Sequence, residues 1–407
     1  MVSIEEAQAL ILSRVAPLGA EEVPLLAALG RISAEDAVAP WDIPSADNSA
    51  MDGYAFALDS LADGRLTVCD FVPAGVTRSE PVPAGCAVKI MTGAPLPPGC
   101  DTVVPVEDVE DDGDAIRLRG EARRGDHIRR RGEEVTDGSV VVAAGNLLRP
   151  QEIGLLASLG RTTAPVFRRA RAAVLATGDE LLQPGSIPEA GKIINSNSSS
   201  IAAQLLDAGA EPLMLGIARD DREVTRRKVG EGLQADLLIT TGGVSVGDRD
   251  FVREALADLG GELLFWKVNM KPGKPVAFAV VGGKPVFALP GNPVAAMVAF
   301  EQFVRPALLK MAGHGRLFRP VVRGTLTETV KNRGDRPHLV RVAVRLEAGR
   351  YLLATTGDQG SARLTSLTSG NGLVKIPAGR TFAAGDEVEV QLLDRHFELG
   401  TGTDETR

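Results

Sequence analysis

Between Ala235 and Asp250 a short apolar run, Leu237 to Thr240, opens into Gly242, Gly243, Ser245 and Gly247 and then meets Asp248 and Asp250 where a helical pattern begins. Glycines let backbone N–H groups converge on an anion, and the aspartates can hold a divalent cation that neutralises it. Leu237 to Thr240 reads as a buried parallel strand, while Phe251, Val252, Ala255, Leu256 and Leu259 recur at helical spacing before Gly260. The loop therefore falls at the carboxyl end of a strand, where open α/β sheets bind ligands. Taken alone, it is equally an ordinary β-α turn with a capping aspartate.

Two further loops of this kind lie downstream. Val286 to Leu289 reads as a strand leading into Pro290-Gly291-Asn292-Pro293 and a helix over Val294 to Met311, with Pro293 in its first turn. Between the two strands stands Lys271-Pro-Gly-Lys274-Pro275, after the apolar run Leu263 to Val268. Singly, such lysines are ordinary solvated cations. Held by a rigid Pro/Gly turn beside two glycine loops, they form a clamp for an oxyanion.

Carboxylates gather at the same strand ends. Thr177-Gly-Asp179-Glu180 comes after the strand pattern Ala173 to Ala176, and Asp220-Asp221 after Leu213 to Ile217. A helix cap is the plainer account of the first. Glu180, Asp220 and Asp250 together would bind Mg²⁺, since acids without a cation would repel an anionic substrate. Further upstream, Asp47-Asn-Ser-Ala-Met-Asp52-Gly-Tyr-Ala55 concentrates acids, an amide and a hydroxyl, although an Asx-capped turn accounts for it equally. Two familiar motifs fail. Gly185 to Ile193 has one residue too many for a P-loop and lacks its final Ser/Thr. Gly243-Val-Ser245-Val-Gly247 matches the serine-hydrolase elbow in form, but Ser245 lies past the strand end and no HGGG-type loop is present.

The elements that must position these residues can be read from patterning. A chain of 407 residues implies several domains, and its 44% apolar content suffices for ordinary cores. Residues 1–45 and 147–170 read as a helical domain, opened by the capping box Ser3-Ile-Glu-Glu6 with Ile4, Ala7, Ile11 and Val15 on one face. Residues 46–146 carry short β-prone runs such as Ala87 to Met91 and Thr102 to Val106, an inserted β-rich domain. Residues 171–315 alternate strands and helices, with a hairpin over Val276 to Val281 and Pro285 to Leu289, predicting a mostly parallel sheet covered by helices. Residues 316–400 read all-β, and the final residues, from Gly400, as a tail.

Composition excludes other classes. The net charge of −8 gives no basic field for nucleic acid, and Arg129-Arg-Arg131 and Arg168-Arg169 are too short to act as arms. No apolar run approaches the roughly 20 residues of a membrane span, so no membrane partner and a cytoplasmic location are expected. Cys69, Cys86 and Cys100 are odd in number and widely spaced, reading as separate core or partly exposed thiols. His127, His314, His338 and His396 lack ligand spacing, so any metal should be a hard cation on oxygen.

The ordered motifs DNSAMDGYA (47–55), IMTGAP (90–95), IRRRGEE (128–134), TGDEL (177–181), TTGGVSVGDRD (240–250), KPGKP (271–275) and LPGNP (289–293) resemble the molybdopterin molybdenumtransferases, a family that includes a domain of gephyrin. The resemblance covers nearly the whole chain. It implies an enzyme that takes adenylylated molybdopterin and molybdate, releases AMP with help from Mg²⁺, and leaves molybdenum on the pterin dithiolene. By motif position it implies Asp52, Thr92, Glu134, Glu180, Asp220 and Asp250 as catalytic residues, the last three as metal ligands. Gly242, Gly243, Ser245, Pro290, Gly291, Asn292 and Pro293 would bind substrate, with Lys271, Lys274 and Arg363 as molybdate donors. The family commonly continues GNPVS where this chain has Ala295, so one hydroxyl is missing.

The implied architecture is a multidomain α/β homodimer: a helical segment with a β-rich insertion, a molybdopterin-binding-type α/β domain and a C-terminal β-barrel, with each site shared between subunits. Transient contacts with the molybdopterin adenylyltransferase and with molybdoenzymes or their chaperones are also implied. The alternatives are a non-catalytic molybdopterin-binding scaffold of the gephyrin type, and a serine hydrolase using Ser245.

Overall fold

The computed structural model describes residues 1–61, 63–243 and 251–393. Two compact units divide the chain, one formed by Met1–Glu21 with Phe167 onward and the other by Glu22–Val166.

In the first unit, six strands form a sheet in the order Glu211–Ala218, Arg171–Thr177, Leu237–Thr241, Lys284–Leu289, Ala277–Val281 and Glu262–Phe265. The first four are parallel, and the last two are joined antiparallel. The Ala277–Val281 and Lys284–Leu289 hairpin turns through Gly282 and Gly283, both at positive φ. Parallel strands are buried on both faces because helices cover both, which is why Arg171–Thr177 reads Ala-Ala-Val-Leu-Ala without polar interruption. Side chains alternate across the sheet. Ala172, Val174, Leu237 and Ile239 therefore face a core with Ile201, Leu205, Val294 and the amino-terminal Ile4, Ala7 and Ile11. Ala173, Leu175 and Leu238 face the opposite core with Val229, Val252, Ala255 and Leu256.

The capping box forms as read: Glu6 N–H donates to Ser3 Oγ at 3.0 Å and Ser3 N–H donates to Glu6 Oε2 at 2.7 Å. The helix it opens ends at Ser13, so the helical reading of residues 1–45 needs correction. Residues 25–28 make one 3₁₀ turn, stopped by Gly30 at φ 76°, and short strands fill much of the rest. Likewise Pro150–Ser158 is helical, but Gly160 at φ 72° ends that pattern and Thr163–Phe167 is a strand.

The long helix after Pro293 carries one π turn. It runs as α-helix over Pro293–Ala299, π over Phe300–Val304 and α again over Arg305–Met311. Pro306 has no N–H for the carbonyl of Gln302. That carbonyl instead accepts Gln8 Nε2 at 3.1 Å, so the helix irregularity docks the amino-terminal helix.

The same unit ends in a closed barrel of five strands: Val321–Leu326, Arg350–Thr355, His338–Glu347, Gly372–Ile376 and Glu387–Leu392. Val340, Val342, Val344, Leu353, Val374 and Val390 fill it. The second unit holds a curled six-stranded sheet in the order Thr102–Pro105, Gly53–Phe56, Cys86–Ile90, Arg65–Val72, Ala115–Leu118 and Val109–Asp111. Gly53 sits where a β-carbon would meet the Val104 carbonyl oxygen at 2.2 Å, so no larger residue fits that strand contact.

Candidate active site

Strand order reverses at the first unit's centre. After Arg171–Thr177 the chain crosses to one side, and its next parallel neighbour on the other side is Leu237–Thr241. The crevice beyond these carboxyl ends is the topological switch point at which open α/β sheets bind ligands. A cleft of about 640 Å³ opens there, lined by Thr177, Glu180, Gly242, Gly243, Pro290, Gly291, Asn292 and Pro293 among others.

Two helices begin at this cleft. Pro293–Ala299 starts from Asn292, and Ser196–Asp207 starts from Asn195, whose Oδ1 accepts Ser198 N–H at 3.1 Å. Asn197 Nδ2 donates to the Gly291 carbonyl at 2.8 Å and ties the two starts together. Helix N-termini present unpaired N–H groups and a positive dipole end, so the cleft is built to receive an anion. The motif reading missed Asn195, Ser196 and Asn197, all cleft-lining. An Asn followed by serines at a helix start was the available signal.

A second chamber of about 480 Å³ adjoins the first and shares Pro275, Pro290 and Asn292 with it. Lys271, Lys274 and Arg336 line it. Arg336 lies in the barrel region, far along the chain from the lysines, and no spacing rule pointed to it. Its Nη1 donates to the Met270 carbonyl at 3.2 Å. The KPGKP turn is stitched to the barrel: Lys271 N–H donates to Pro337 O at 2.9 Å, and Leu339 N–H donates to Lys271 O at 2.7 Å. Beneath it His338 is buried, and desolvation, reinforced by Lys271 and Arg341, pushes its pKa down to about 4. The imidazole is therefore neutral at physiological pH and adds no charge to the chamber.

Ala295 lines this chamber without a hydroxyl, but Ser361 lines it too and accepts Asn292 Nδ2 at 3.1 Å. Arg363 is ion-paired with Asp358, Nε to Oδ2 at 3.2 Å, and Asp358 rather than Arg363 lines the chamber. The wall is braced from below by Arg341, fully buried, which donates through Nη2 to Gly360 O at 3.1 Å and through Nε to Ser366 Oγ at 3.1 Å.

The acids divide between the units. Glu180 lines the cleft, and its carboxylate folds over Gly178 so closely that a β-carbon there would meet it at 2.5 Å. The chain then enters the short strand Leu181–Leu182, not a helix, which removes the capping account of this motif. Asp220 sits on the adjoining loop, its N–H donating to Asp179 Oδ1 at 3.2 Å, outside the cleft lining. Asp250 and Ser245 lie outside the described residues. Among the described residues no three His, Cys, Asp or Glu side chains converge as a metal site.

In the second unit, Asp52 Oδ1 accepts Thr92 N–H at 2.7 Å and Thr92 Oγ1 at 2.8 Å. Those bonds hold the Asp52 carboxyl below the usual range, the backbone N–H contributing most. Three distant motifs meet around this pair. Asn48–Ser49 pairs with Ile128–Arg129, Gly93 N–H donates to Ser49 O at 2.8 Å, and Arg130 Nη1 donates to Asp47 Oδ2 at 2.7 Å. Asp47 thus binds another motif rather than only capping its own loop. Glu134 is exposed on the Ile128–Glu134 segment, with its N–H donating to Ile43 O at 3.0 Å.

A switch-point cleft with anion-receiving helix starts, joined to a cationic chamber against a barrel, defines an anion-binding class of α/β protein. Residues 173–310 match the family described as a probable molybdopterin binding domain, 2–160 the MoeA N-terminal region (domain I and II), and 323–393 the MoeA C-terminal region (domain IV). The chain belongs to the MoeA family of molybdopterin molybdenumtransferases, enzymes of molybdenum cofactor biosynthesis. It is 36% identical over 403 residues to molybdopterin molybdenumtransferase 2 of Mycobacterium tuberculosis, covering 96% of this chain and 99% of that one. It is 35% identical over 401 residues to the molybdopterin molybdenumtransferase of Staphylococcus aureus, covering 97% and 96%. The crystal structure of the molybdopterin biosynthesis MoeA protein from Pyrococcus horikoshii OT3 aligns with a TM-score of 0.82 at 31% identity, covering 96% of this chain and all of that one.

Proposed function

We propose that this protein inserts molybdate into adenylylated molybdopterin, releasing AMP and leaving molybdenum on the pterin's dithiolene sulfurs. The observation that carries this reading is the pair of adjoining chambers sharing Pro275, Pro290 and Asn292. One offers helix N-termini and glycines for the pterin and its phosphates, the other lysines and an arginine for the oxyanion. Substrates bound in both would lie side by side, which is the entropic part of catalysis for a reaction between them.

Glu180, with Asp220 and Asp250, would hold Mg²⁺. Mg²⁺ binds through a few carboxylates and completes its shell with water and substrate phosphates. When bound, it would neutralise charge developing on the phosphoric anhydride as AMP leaves. Asp52, kept ionised by Thr92, and Glu134 would complete the site from the second unit of a partner chain in a two-fold dimer. Arg363, paired with Asp358, would reach molybdate only by exchanging that partner. We further infer a cytoplasmic protein with transient contacts to the molybdopterin adenylyltransferase and to recipient molybdoenzymes or their chaperones; no described helix is long and apolar enough to cross a membrane.

The test is to incubate purified protein with adenylylated molybdopterin, Mg²⁺ and molybdate, monitoring AMP and active cofactor. Stoichiometric AMP release with molybdate-dependent cofactor formation is expected. Binding of the pterin without AMP release would instead support the scaffold reading, and covalent labelling of Ser245 by a fluorophosphonate the hydrolase reading.

A further inference from the structure

Cys69, Cys86 and Cys100 are the only cysteines of the chain, and sequence spacing gave no reason to connect them. The fold does. Cys69 lies in Arg65–Val72, and Cys86 opens the neighbouring parallel strand Cys86–Ile90. Thr67 pairs with Cys86, Val68 with Ala87 and Asp70 with Val88, so Cys69 is the extra residue of a bulge. Bulges re-aim side chains. Here the Cys69 thiol turns across the strand gap and donates to the Ala87 carbonyl at 3.5 Å, one residue past Cys86.

We propose that Cys69 and Cys86 are a dithiol that a low-molecular-weight disulfide closes to an intramolecular bridge, with Cys100 left out. Cys69 is exposed, while Cys86 is half-buried beside it, so an oxidant has access to one thiol and the second is in place to resolve the adduct. Cys69 attacks the oxidant's disulfide and forms a mixed disulfide, expelling one thiolate. Cys86 then attacks the Cys69 sulfur and expels the second. The two protein thiols lose two protons and two electrons in total, and the disulfide oxidant is reduced to two thiols.

The surroundings set the rate and the selectivity. Burial raises the Cys69 thiol pKa first, then the neighbouring Cys86; Arg78 opposes this and Asp70 adds to it. Arg78 is itself ion-paired with Asp70, which blunts its help. Deprotonation is therefore the slow requirement, and closure should accelerate about tenfold per pH unit while the thiolate is the minor form. Burial, with Asp101 second, pushes Cys100 up to about 12, so it remains a thiol.

The experiment uses full-length reduced protein and glutathione disulfide, then denaturation, alkylation and peptide mass mapping. Two of the three thiols should resist alkylation, with a Cys69–Cys86 linked peptide and full recovery in dithiothreitol. Cys100→Ser should close at the wild-type rate, and Cys86→Ser should stop at a glutathione adduct on Cys69. The proposal is overturned if wild-type protein keeps three alkylatable thiols, ends as a stable Cys69 adduct, bridges through Cys100, or closes at a pH-independent rate.

Discussion

Gly242 approaches Thr177 so closely that a β-carbon at 242 would stand 2.6 Å from the Thr177 carbonyl oxygen. The contact is made where the two central parallel strands end, so the width of the switch-point crevice depends on the missing side chain. Gly242 also has φ 87°, the left-handed region. Gly242→Ala should therefore lower unfolding free energy by roughly 2–4 kcal/mol, combining left-handed strain with overpacking. Urea unfolding beside AMP release checks this. Wild-type stability and turnover in the variant would contradict the steric account.

Lys271 and Lys274 line the chamber assigned to the oxyanion. Replacing each with alanine should raise the molybdate concentration for half-maximal turnover roughly ten- to a hundredfold, the span of one lost charge-assisted hydrogen bond. Pterin binding should weaken much less. Equal losses for both ligands would move the lysines to the phosphates.

His338 titrates in a window set by burial. Its folded pKa of about 4 lies below the unfolded value near 6.5, so the unfolded chain binds a proton first as pH falls. Stability from this residue is complete above about pH 6.5 and is lost progressively toward about pH 4, on the order of 3 kcal/mol in all. His338→Leu should flatten the pH dependence of the urea midpoint across that window. An unchanged slope would assign the acid sensitivity elsewhere.

Arg319 Nε donates to Glu301 Oε1 at 2.6 Å with both side chains buried, and Asp207 and Arg305 flank the pair. Arg319→Ala would leave a buried carboxylate with one weaker partner. A loss of about 3 kcal/mol is expected, with normal turnover per folded molecule, since the pair lies outside both chambers. Chemical denaturation and active-site-normalised rates separate the two effects.

If each site draws Asp52 from one chain and Glu180 from the other, Asp52→Ala and Glu180→Ala homodimers should both be inactive. Mixing them should restore about a quarter of wild-type sites after random exchange, because half the dimers are mixed and each has one intact site. Verified exchange without recovered activity would mean that every site is built within one chain.

Much of the first unit was legible because burial writes itself into residue order. Ala173 to Ala176, Leu237 to Ile239 and Val286 to Leu289 are uninterrupted apolar runs, and all lie in central parallel strands. Gly242, Gly243 and Pro293 were equally readable, since a turn and a helix start each demand particular backbone freedom or its loss. Residues 14–45 were not. Their apolar residues mimic helical spacing, yet glycine turns and pairing with distant segments, such as Val38 with Val140, decide their conformation.

The sequence by itself determined which residues could carry chemistry: the anion loops, the lysine clamp, the acids and the family they spell. Only the tertiary structure decided which of them meet. Arg336 joins Lys271 because a barrel strand pairs with the KPGKP turn; Asn197 joins Gly291 because two helices start at one cleft; and Cys69 reaches toward Cys86 because a bulge turns it. Local propensity acts over a few residues. These contacts span tens of residues, so they arise only when the sheets and barrel close and bury their faces.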